Sequence, residues 1–158
     1  MATAFRLITI QTSKEKYVQE AEQLYLKKLK PLCIFEIQKI KSGSAPRSEL
    51  KAKIEDEGKK IQKILQPGSI DIVFDEKGTR FSSEEFADLL QKFIERSPKT
   101  INFIIGGAFG LSEEIKKNAT QSVSLSSFVF NHHVAEIVVL EQIYRAFSII
   151  NKTPYHNA

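Results

Sequence analysis

Apolar residues fall into short runs that alternate with longer amphipathic stretches along the chain. The densest run lies in Thr100–Phe109, TINFIIGGAF, where four of the five residues from Ile101 to Ile105 are apolar. Such a run leaves too few polar positions for burial on one face, so it predicts a central strand covered on both faces. Weaker runs predict further strands at Phe5–Ile10, Cys33–Ile40, Ile70–Phe74 and Gln121–Leu125.

Helical periodicity appears between these runs. The periodic stretches are Lys14–Lys28, Ser48–Leu65, Glu84–Arg96, Glu113–Ala119 and Val134–Ile150. Ser82 or Ser83 is expected to cap the third of these helices and Ser112 the fourth, because acidic residues follow them in the first turn. A mobile loop is predicted at Lys41–Pro46, a polar turn at Asp75–Gly78 and a loop at Ser126–His133.

The alternation of strands and helices predicts an α/β fold with a mostly parallel sheet covered on both faces. The strand at Cys33–Ile40 is placed near an edge because charged residues interrupt it. With 158 residues, of which 42% are hydrophobic, the chain suits one domain over residues 1–158 and leaves little room for a second.

Charge and cysteine usage narrow the class of protein. Residues 1–66 hold 14 Lys and Arg against 8 Asp and Glu, while residues 67–158 hold 9 against 11. A basic first part suits a polyanion such as nucleic acid, although a scattered solvated surface is the commoner explanation. No leader pattern or membrane-length apolar run is present, and the single Cys33 is interpreted as a buried thiol in a reducing compartment. We therefore expect a cytoplasmic protein.

Two glycines follow the central strand directly. Gly106 and Gly107 stand between the end of a buried strand and a helix N-terminus, where open α/β sheets bind ligands. Without a Cβ, they would let a ligand touch the backbone. A tight turn with no ligand is an equally good interpretation, since GGAFG matches neither the GxGxxG fingerprint nor a P-loop.

The last eight residues, Asn151–Ala158 (NKTPYHNA), contain side chains that a free tail does not need. Tyr155 and His156 place a phenol and an imidazole directly after Pro154, which stiffens the approach. Simple packing of a terminal aromatic residue remains the alternative. The tail is therefore a candidate for a functional role.

Taken together, several motifs resemble one family. IIGGAFGLSEEIK, SLSSFVF, LEQIYRAFSIINKTPYH and the upstream DEKGTRFSSEEFA are similar to the bacterial methyltransferases that modify N3 of a pseudouridine in large-subunit ribosomal RNA, small members of the SPOUT class. The resemblance covers essentially the whole chain. It implies a five- to six-stranded α/β fold with a C-terminal trefoil knot, a homodimer with active sites that include both chains, S-adenosylmethionine as methyl donor, and ribosomal RNA in the assembled ribosome as substrate.

The resemblance also implies site residues by position. The implied cofactor site comprises Phe74, Gly106, Leu125, Ser126, Ser127, Phe128, Val129 and Phe130. The implied catalytic residues are His156 for proton handling, Tyr155 for positioning the base, and Arg145 for holding a phosphate or orienting the tail. No metal is implied.

Two positions depart from the family pattern. Asn131 stands where the family usually has proline, and Glu136 stands where it usually has arginine, which reverses a charge near the implied RNA site. These departures leave open a non-catalytic RNA- or ribosome-binding domain that keeps the fold, although the intact glycine turn and tail favour an enzyme. His132 and His133 are interpreted as a surface pair at a helix start rather than a metal site, because no further His or Cys stands at ligand spacing.

Overall fold

The computed structural model describes residues 2–11, 15–42 and 46–157. Its strands are β1 (Ala4–Gln11), β2 (Ile34–Lys41), β3 (Ile70–Arg80), β4 (Thr100–Ile105) and β5 (Gln121–Ser124). Its helices are α1 (Lys16–Leu29), α2 (Leu50–Ile64), α3 (Ser83–Glu95), α4 (Glu113–Asn118) and α5 (His132–Ile150), and a single 3-10 turn, Arg47–Glu49, precedes α2. All strand pairs are parallel, in the order β2-β1-β4-β3-β5, so the predicted α/β fold is confirmed.

β4 lies at the centre of the sheet, as its apolar run predicts. All six of its residues are buried. Phe103 packs in the core layer that contains residues of α1, α3 and α5, while Ile104 packs in the layer that contains residues of α2 and α4. Both faces of the strand are therefore covered by helices, and β2 lies at a sheet edge as predicted.

A buried polar row crosses four strands beside this core. Arg6 donates hydrogen bonds from Nε to Asn102 Oδ1 and from Nη1 to Gln38 Oε1, both at 2.9 Å. Asn102 Nδ2 in turn donates to Asp71 Oδ1 at 2.8 Å. Arg6 Nη2 also donates to the carbonyl of Ile64 at 2.7 Å, at the helix end where backbone carbonyls lack intrahelical partners. One guanidinium thus holds the end of α2 on the sheet.

β3 is longer than the sequence predicts. The predicted strand ended at Phe74, but Val123 of β5 is the register partner of Phe74 and again of Thr79. Residues 75–78 therefore form a bulge opposite a single residue, where a polar turn was predicted. Gly78 is required in this bulge because a Cβ would lie 2.7 Å from the backbone of Val123. Pairing with a strand distant in sequence overrides the local turn preference.

The predicted N-caps are found in the structure, and α5 begins earlier than predicted. The side chains of Ser82 and Ser112 accept hydrogen bonds from backbone N–H groups in the first turns of α3 and α4, which confirms both as N-caps. α5 begins at His132, two residues before the predicted start. The reason is that Asn131 Oδ1 accepts the N–H of His133 at 2.8 Å and acts as an N-cap.

Two predictions fall wholly or partly outside the described residues. Lys14, the predicted first residue of the first helix, lies there, as do residues 43–45 of the predicted mobile loop Lys41–Pro46. Cys33 precedes β2 and is half-buried, and burial raises the pKa of its thiol to about 12. Within the described ranges, no helix is long and apolar enough to cross a membrane.

Candidate active site

A cavity of about 360 Å³ opens at the C-terminal end of β4. It is lined by the loop after β4, the bulge of β3, the loop after β5 and the first turn of α5. Seven of the eight predicted cofactor residues lie around it: Phe74, Gly106, Leu125, Ser126, Phe128, Val129 and Phe130. Ser127 belongs to the same loop but does not line the cavity. The structure thus brings the predicted cofactor residues together, and their role stays a prediction.

A second cavity of about 260 Å³ adjoins the first and extends it toward α3. The two cavities share Phe74, Ser124 and Leu125 in their walls. Phe81 and Phe86 make the second cavity more apolar. The two cavities together form one groove with an apolar end and a polar end. Such a groove suits a ligand that carries both a flat ring and charged groups.

Charged side chains at the polar end were missed by sequence reasoning. Asp75 and Glu76 reach the first cavity from the bulge of β3, and Lys116 reaches it from α4. Lys116 Nζ lies 3.1 Å from Glu113 Oε1 and 4.0 Å from Asp75 Oδ1. The bulge of β3 brings these carboxylates to the site. The sequence feature that could have identified them was the polar turn predicted at the same sheet edge as the glycines.

His132 also lines the first cavity. Burial, and then the neighbouring His133, lower the pKa of the His132 imidazole. The ring is therefore neutral at pH 7. The interpretation of the two histidines as a surface pair is partly wrong: both begin α5, but both are half-buried, and His132 faces the site.

Gly106 is also constrained by packing within its own loop. A Cβ at Gly106 would lie 2.5 Å from the carbonyl carbon of Gly110 and 2.8 Å from the backbone nitrogen of Leu111. The position of a Cβ is therefore filled by the returning part of the loop, while the predicted cofactor contact of Gly106 stays a prediction. Gly110 has a φ of 89°, in the left-handed region that favours glycine. Both glycines are needed to close the loop that forms the cavity wall.

Gly106→Ala is expected to weaken cofactor binding by roughly tenfold or more, because relieving a backbone clash displaces the loop at a cost of about 1–3 kcal/mol. Gly107→Ala is the matched control, since its Cβ would lie no closer than 3.4 Å to any neighbouring atom. Calorimetric titration with S-adenosylmethionine measures both. Equal affinities in the two folded variants would contradict this role of Gly106.

The rim of the cavity exposes large apolar side chains. Phe128 is 80% exposed and Val129 is 73% exposed, and Phe109, Phe130 and Val134 are also exposed. Apolar clusters of this kind on a protein surface are typical of interaction sites.

The three predicted catalytic residues form a second cluster around Glu141. Its Oε1 accepts from Arg145 Nε at 3.0 Å and Nη2 at 2.8 Å. Its Oε2 accepts from the hydroxyls of Tyr25 at 2.7 Å and Tyr155 at 3.0 Å. Burial raises the pKa of Glu141, but these hydrogen bonds outweigh it and the pKa falls below its usual value. Glu141 is therefore an anion that ties the tail to α1 and α5.

His156 is held through both ring nitrogens. Arg145 Nη1 lies 3.0 Å from Nδ1, and Glu84 Oε1 lies 2.7 Å from Nε2. Because a guanidinium can only donate, Nδ1 accepts, and Nε2 carries the hydrogen that is donated to Glu84. In this arrangement, Nδ1 is the nitrogen with the lone pair, and it can take a proton from a substrate only after Arg145 has left it.

The tail cluster and the cavity lie at different places along α5. Ala135 lines the first cavity ten residues before Arg145, a distance of about 15 Å at 1.5 Å per residue, whereas Gln142 lines the second cavity three residues before it. Neither Tyr155 nor His156 lines either of the two cavities described above. Within one chain, the structure does not bring the two sets of predicted site residues together.

The chain matches a known protein family over almost its whole length. Residues 3–156 match the family described as "Predicted SPOUT methyltransferase". This chain belongs to the SPOUT methyltransferase family. The match includes the glycine loop, the loop after β5 and the tail as far as His156.

Curated relatives cover this SPOUT chain almost from end to end. The protein named Ribosomal RNA large subunit methyltransferase H from Bdellovibrio bacteriovorus is 40% identical over 153 residues, 97% of this chain and 98% of its own length. That from Parabacteroides distasonis is 38% identical over 153 residues, 96% of this chain and 97% of its own length. The crystal structure of a probable methyltransferase from Bordetella pertussis Tohama I has a TM-score of 0.59 at 11% identity, covering 92% of this chain and 96% of that one, which shows a shared fold.

The glutamate that departs from the SPOUT pattern does not face a surface for RNA. Glu136 is only 7% exposed and lies beside Glu22 of α1, which accepts from Lys39 Nζ at 2.7 Å. In the described part of the chain, Oε2 of Glu22 and Oε2 of Glu136 have no donor. Protonation of Glu136 would remove the repulsion between the two buried carboxylates. Burial first, and then Glu22, raise the pKa of Glu136 to about 9, against the opposing effect of Lys39.

Replacing Glu136 by glutamine is expected to remove a loss of stability at high pH. Between the ordinary carboxyl value of 4.5 and about 9, the unfolded chain has released a proton that the native chain keeps. The free energy of unfolding therefore falls as the pH rises, by at most about 1.4 kcal/mol per pH unit. Glu136→Gln stays neutral, so it should gain stability relative to the natural chain at higher pH.

Urea unfolding at about pH 6 and about pH 8 measures this difference. Glu20→Gln, at an exposed position of α1, is the matched control. A Glu136→Gln chain with the same pH dependence as the natural chain would show that the buried carboxyl is already ionised. Glu15, Lys39 and His133 also line the small cavity beside the pair.

A metal site is not evident in this SPOUT chain. Among residues 2–11, 15–42 and 46–157, no group of three or more His, Cys, Asp or Glu is placed to hold a metal ion.

Proposed function

We propose that this protein uses S-adenosylmethionine to methylate N3 of a pseudouridine in large-subunit ribosomal RNA, in the cytoplasm and on the assembled ribosome. The observation that carries the proposal is the end-to-end similarity to proteins named Ribosomal RNA large subunit methyltransferase H, in a chain whose tail is structured. A similarity confined to the sheet would support only the fold.

The cavity fits the proposed cofactor in its mixture of side chains. Phe74 and Leu125 offer apolar surface to an adenine ring, and the backbone of the loops around Gly106 and Ser126 offers hydrogen-bonding groups. Asp75 and Glu76 suit the cationic groups of the cofactor, and Lys116 suits its carboxylate. When bound, the cofactor supplies a methyl carbon on a positively charged sulfur, which is already a strong electrophile.

The chain's own residues then have to orient the base and move one proton. As N3 of the pseudouridine gains the methyl group, its proton must leave. We assign its removal to Nδ1 of His156, after RNA has displaced Arg145 from that nitrogen. Tyr155, fixed by Glu141, positions the base, and the released Arg145 is free to bind a phosphate.

A homodimer supplies the geometry that one chain lacks. Because the first cavity lies about 15 Å from Arg145 along α5 and neither Tyr155 nor His156 lines either cavity of its own chain, we propose that the tail of one chain completes the cavity of the other. The exposed apolar rim around Phe128 and Val129 supports a subunit contact beside the cavity. We also propose the C-terminal trefoil knot of the family, which is supported by the crossing from β4 past β3 to β5 and by the close approach of Gly78 to β5.

The proposal is tested by incubating the protein and labelled S-adenosylmethionine with free ribosomal RNA, separate subunits and whole ribosomes from a strain lacking the activity. The label is expected on N3 of one pseudouridine, and more of it is expected in whole ribosomes than in separate subunits or free ribosomal RNA. Strong methylation of free RNA would contradict the need for the assembled particle. Normal cofactor binding without labelling of any particle would instead indicate the non-catalytic RNA-binding domain.

The two departures that suggested a non-catalytic RNA-binding domain have structural explanations. Glu136 is buried, and its raised pKa favours the neutral form, so it does not reverse the charge of a surface. Asn131 replaces the usual proline with a side chain that caps α5. Each departure has a structural explanation that leaves the proposed site unchanged.

A further inference from the structure

Lys28 lies against three tyrosine rings beside the tail. Its Nζ is 5.1 Å from the ring centroid of Tyr144, 5.3 Å from that of Tyr155 and 5.8 Å from that of Tyr25. These distances are within the range of cation–π attraction. A flexible lysine at the end of α1 is thereby held at one position on the surface, and we call these four residues the Lys28 cluster.

The positive charge of Lys28 is not neutralised by the protein. Ion pairs in the described ranges involve other residues, and none includes Lys28. The nearby Arg145 lies 4.8 Å from the Tyr155 ring centroid, but Glu141 already pairs with it. Glu141 also accepts both the Tyr25 and Tyr155 hydroxyls, so its oxygens are occupied. Lys28 is therefore a positioned cation available to an anion from outside the chain.

The Lys28 cluster touches the proposed catalytic residues. Tyr155 belongs to both groups, and Arg145 contacts the Tyr155 ring and His156. Tyr144 and Tyr155 stack edge to face with centroids 4.7 Å apart, and both side chains are partly exposed. Aromatic rings next to a cation are the chemistry by which proteins bind unpaired RNA nucleotides, through base stacking and phosphate contacts.

We propose that the Lys28 cluster binds the substrate RNA strand next to the methylated nucleotide, with the Lys28 ammonium contacting a backbone phosphate. This inference rests on the proposed function and adds a recognition site to it. The tyrosines hold the ammonium in place before RNA arrives, which reduces the conformational entropy that the lysine loses on binding. Lys28 acts in substrate binding, so its loss should change KM rather than kcat.

The test compares Lys28→Gln, Lys28→Arg and Lys27→Gln in methylation of whole ribosomes over a range of salt concentrations. Lys27 is the matched control because it is an exposed neighbour on α1 outside the cluster. Loss of one phosphate contact should reduce the salt slope of binding by about 0.7, which corresponds to a rise in KM of about fivefold at 0.1 M salt. Lys28→Arg should keep most of the affinity, and Lys27→Gln should behave as the natural chain. kcat and the affinity for S-adenosylmethionine should not change in any of them.

An unchanged KM and salt slope in Lys28→Gln would overturn the inference. A higher KM with an unchanged salt slope would overturn it as well, because it would assign Lys28 a purely structural role. Thermal unfolding of each variant identifies a destabilised tail. If the natural chain methylates ribosomes while Lys28→Gln is indistinguishable from it, only this inference fails. If the natural chain neither binds nor methylates ribosomes, the proposed function fails instead.

Discussion

Alanine at position 156 is expected to slow methyl transfer by about 10²–10⁴-fold, the usual contribution of a general acid or base. In the structure, Nδ1 of the imidazole can accept a proton once Arg145 is displaced. His156 lines neither cavity of its own chain, so His156→Ala should leave cofactor affinity unchanged. Single-turnover methylation of ribosomes and calorimetric titration with S-adenosylmethionine measure the two effects separately.

Two variants show whether the imidazole acts chemically or only positions the tail. Asn157→Ala changes the next, exposed residue of the tail and should have full activity. Glu84→Gln keeps an acceptor for Nε2 and should lose less than about tenfold, because Glu84 only orients the ring. A loss below tenfold in His156→Ala itself would mean that His156 orients the base and that another group removes the proton.

A mixture of two inactive chains is expected to regain activity if each site is shared. Gly106→Val closes the cavity of one chain, because its side chain collides with the backbone of Gly110 and Leu111, and leaves the distant tail intact. His156→Ala removes the tail function of the other. Random pairing makes half of the dimers mixed, each with one complete site, so activity should reach about a quarter of the natural level.

The reverse arrangement is the control. When Gly106→Val and His156→Ala are placed in the same chain and paired with a natural chain, a shared site predicts a mixed dimer with no complete site. A site built within one chain predicts the opposite result in both mixtures. Native mass spectrometry has to confirm that mixed dimers form, and their presence without recovered activity in the first mixture would rule out the shared site.

The sequence predicts the features of this fold that are set by nearby residues. The apolar run of β4 and the caps at Ser82 and Ser112 depend on side chains within a few positions, and all three are confirmed. β3 was predicted too short because residues 75–78 favour a turn locally. Their structure depends on pairing with Val123, far along the chain. The carboxylates of Asp75 and Glu76 were missed for the same reason.

In the candidate site too, contacts between residues close in sequence were predictable, and contacts between distant residues were not. Glu141 and Arg145 have the spacing of a helical ion pair, and this pattern was visible in the sequence. The two tyrosines that share Glu141 come from α1 and the tail, so no spacing rule identifies them. The packing constraint at Gly106 was missed, because a sequence does not show which part of a loop returns past a glycine.

The single cysteine determines how movement of the tail can be observed. Cys33 has a thiol pKa of about 12, so a very small fraction of it is thiolate at neutral pH and alkylating reagents react with it slowly. A cysteine introduced at the exposed position 157 would have an ordinary pKa near 8.5 and should react far faster. One fluorescent label can therefore be attached to the tail of the otherwise natural chain. Its signal would report directly when RNA releases His156 from Arg145 and Glu84.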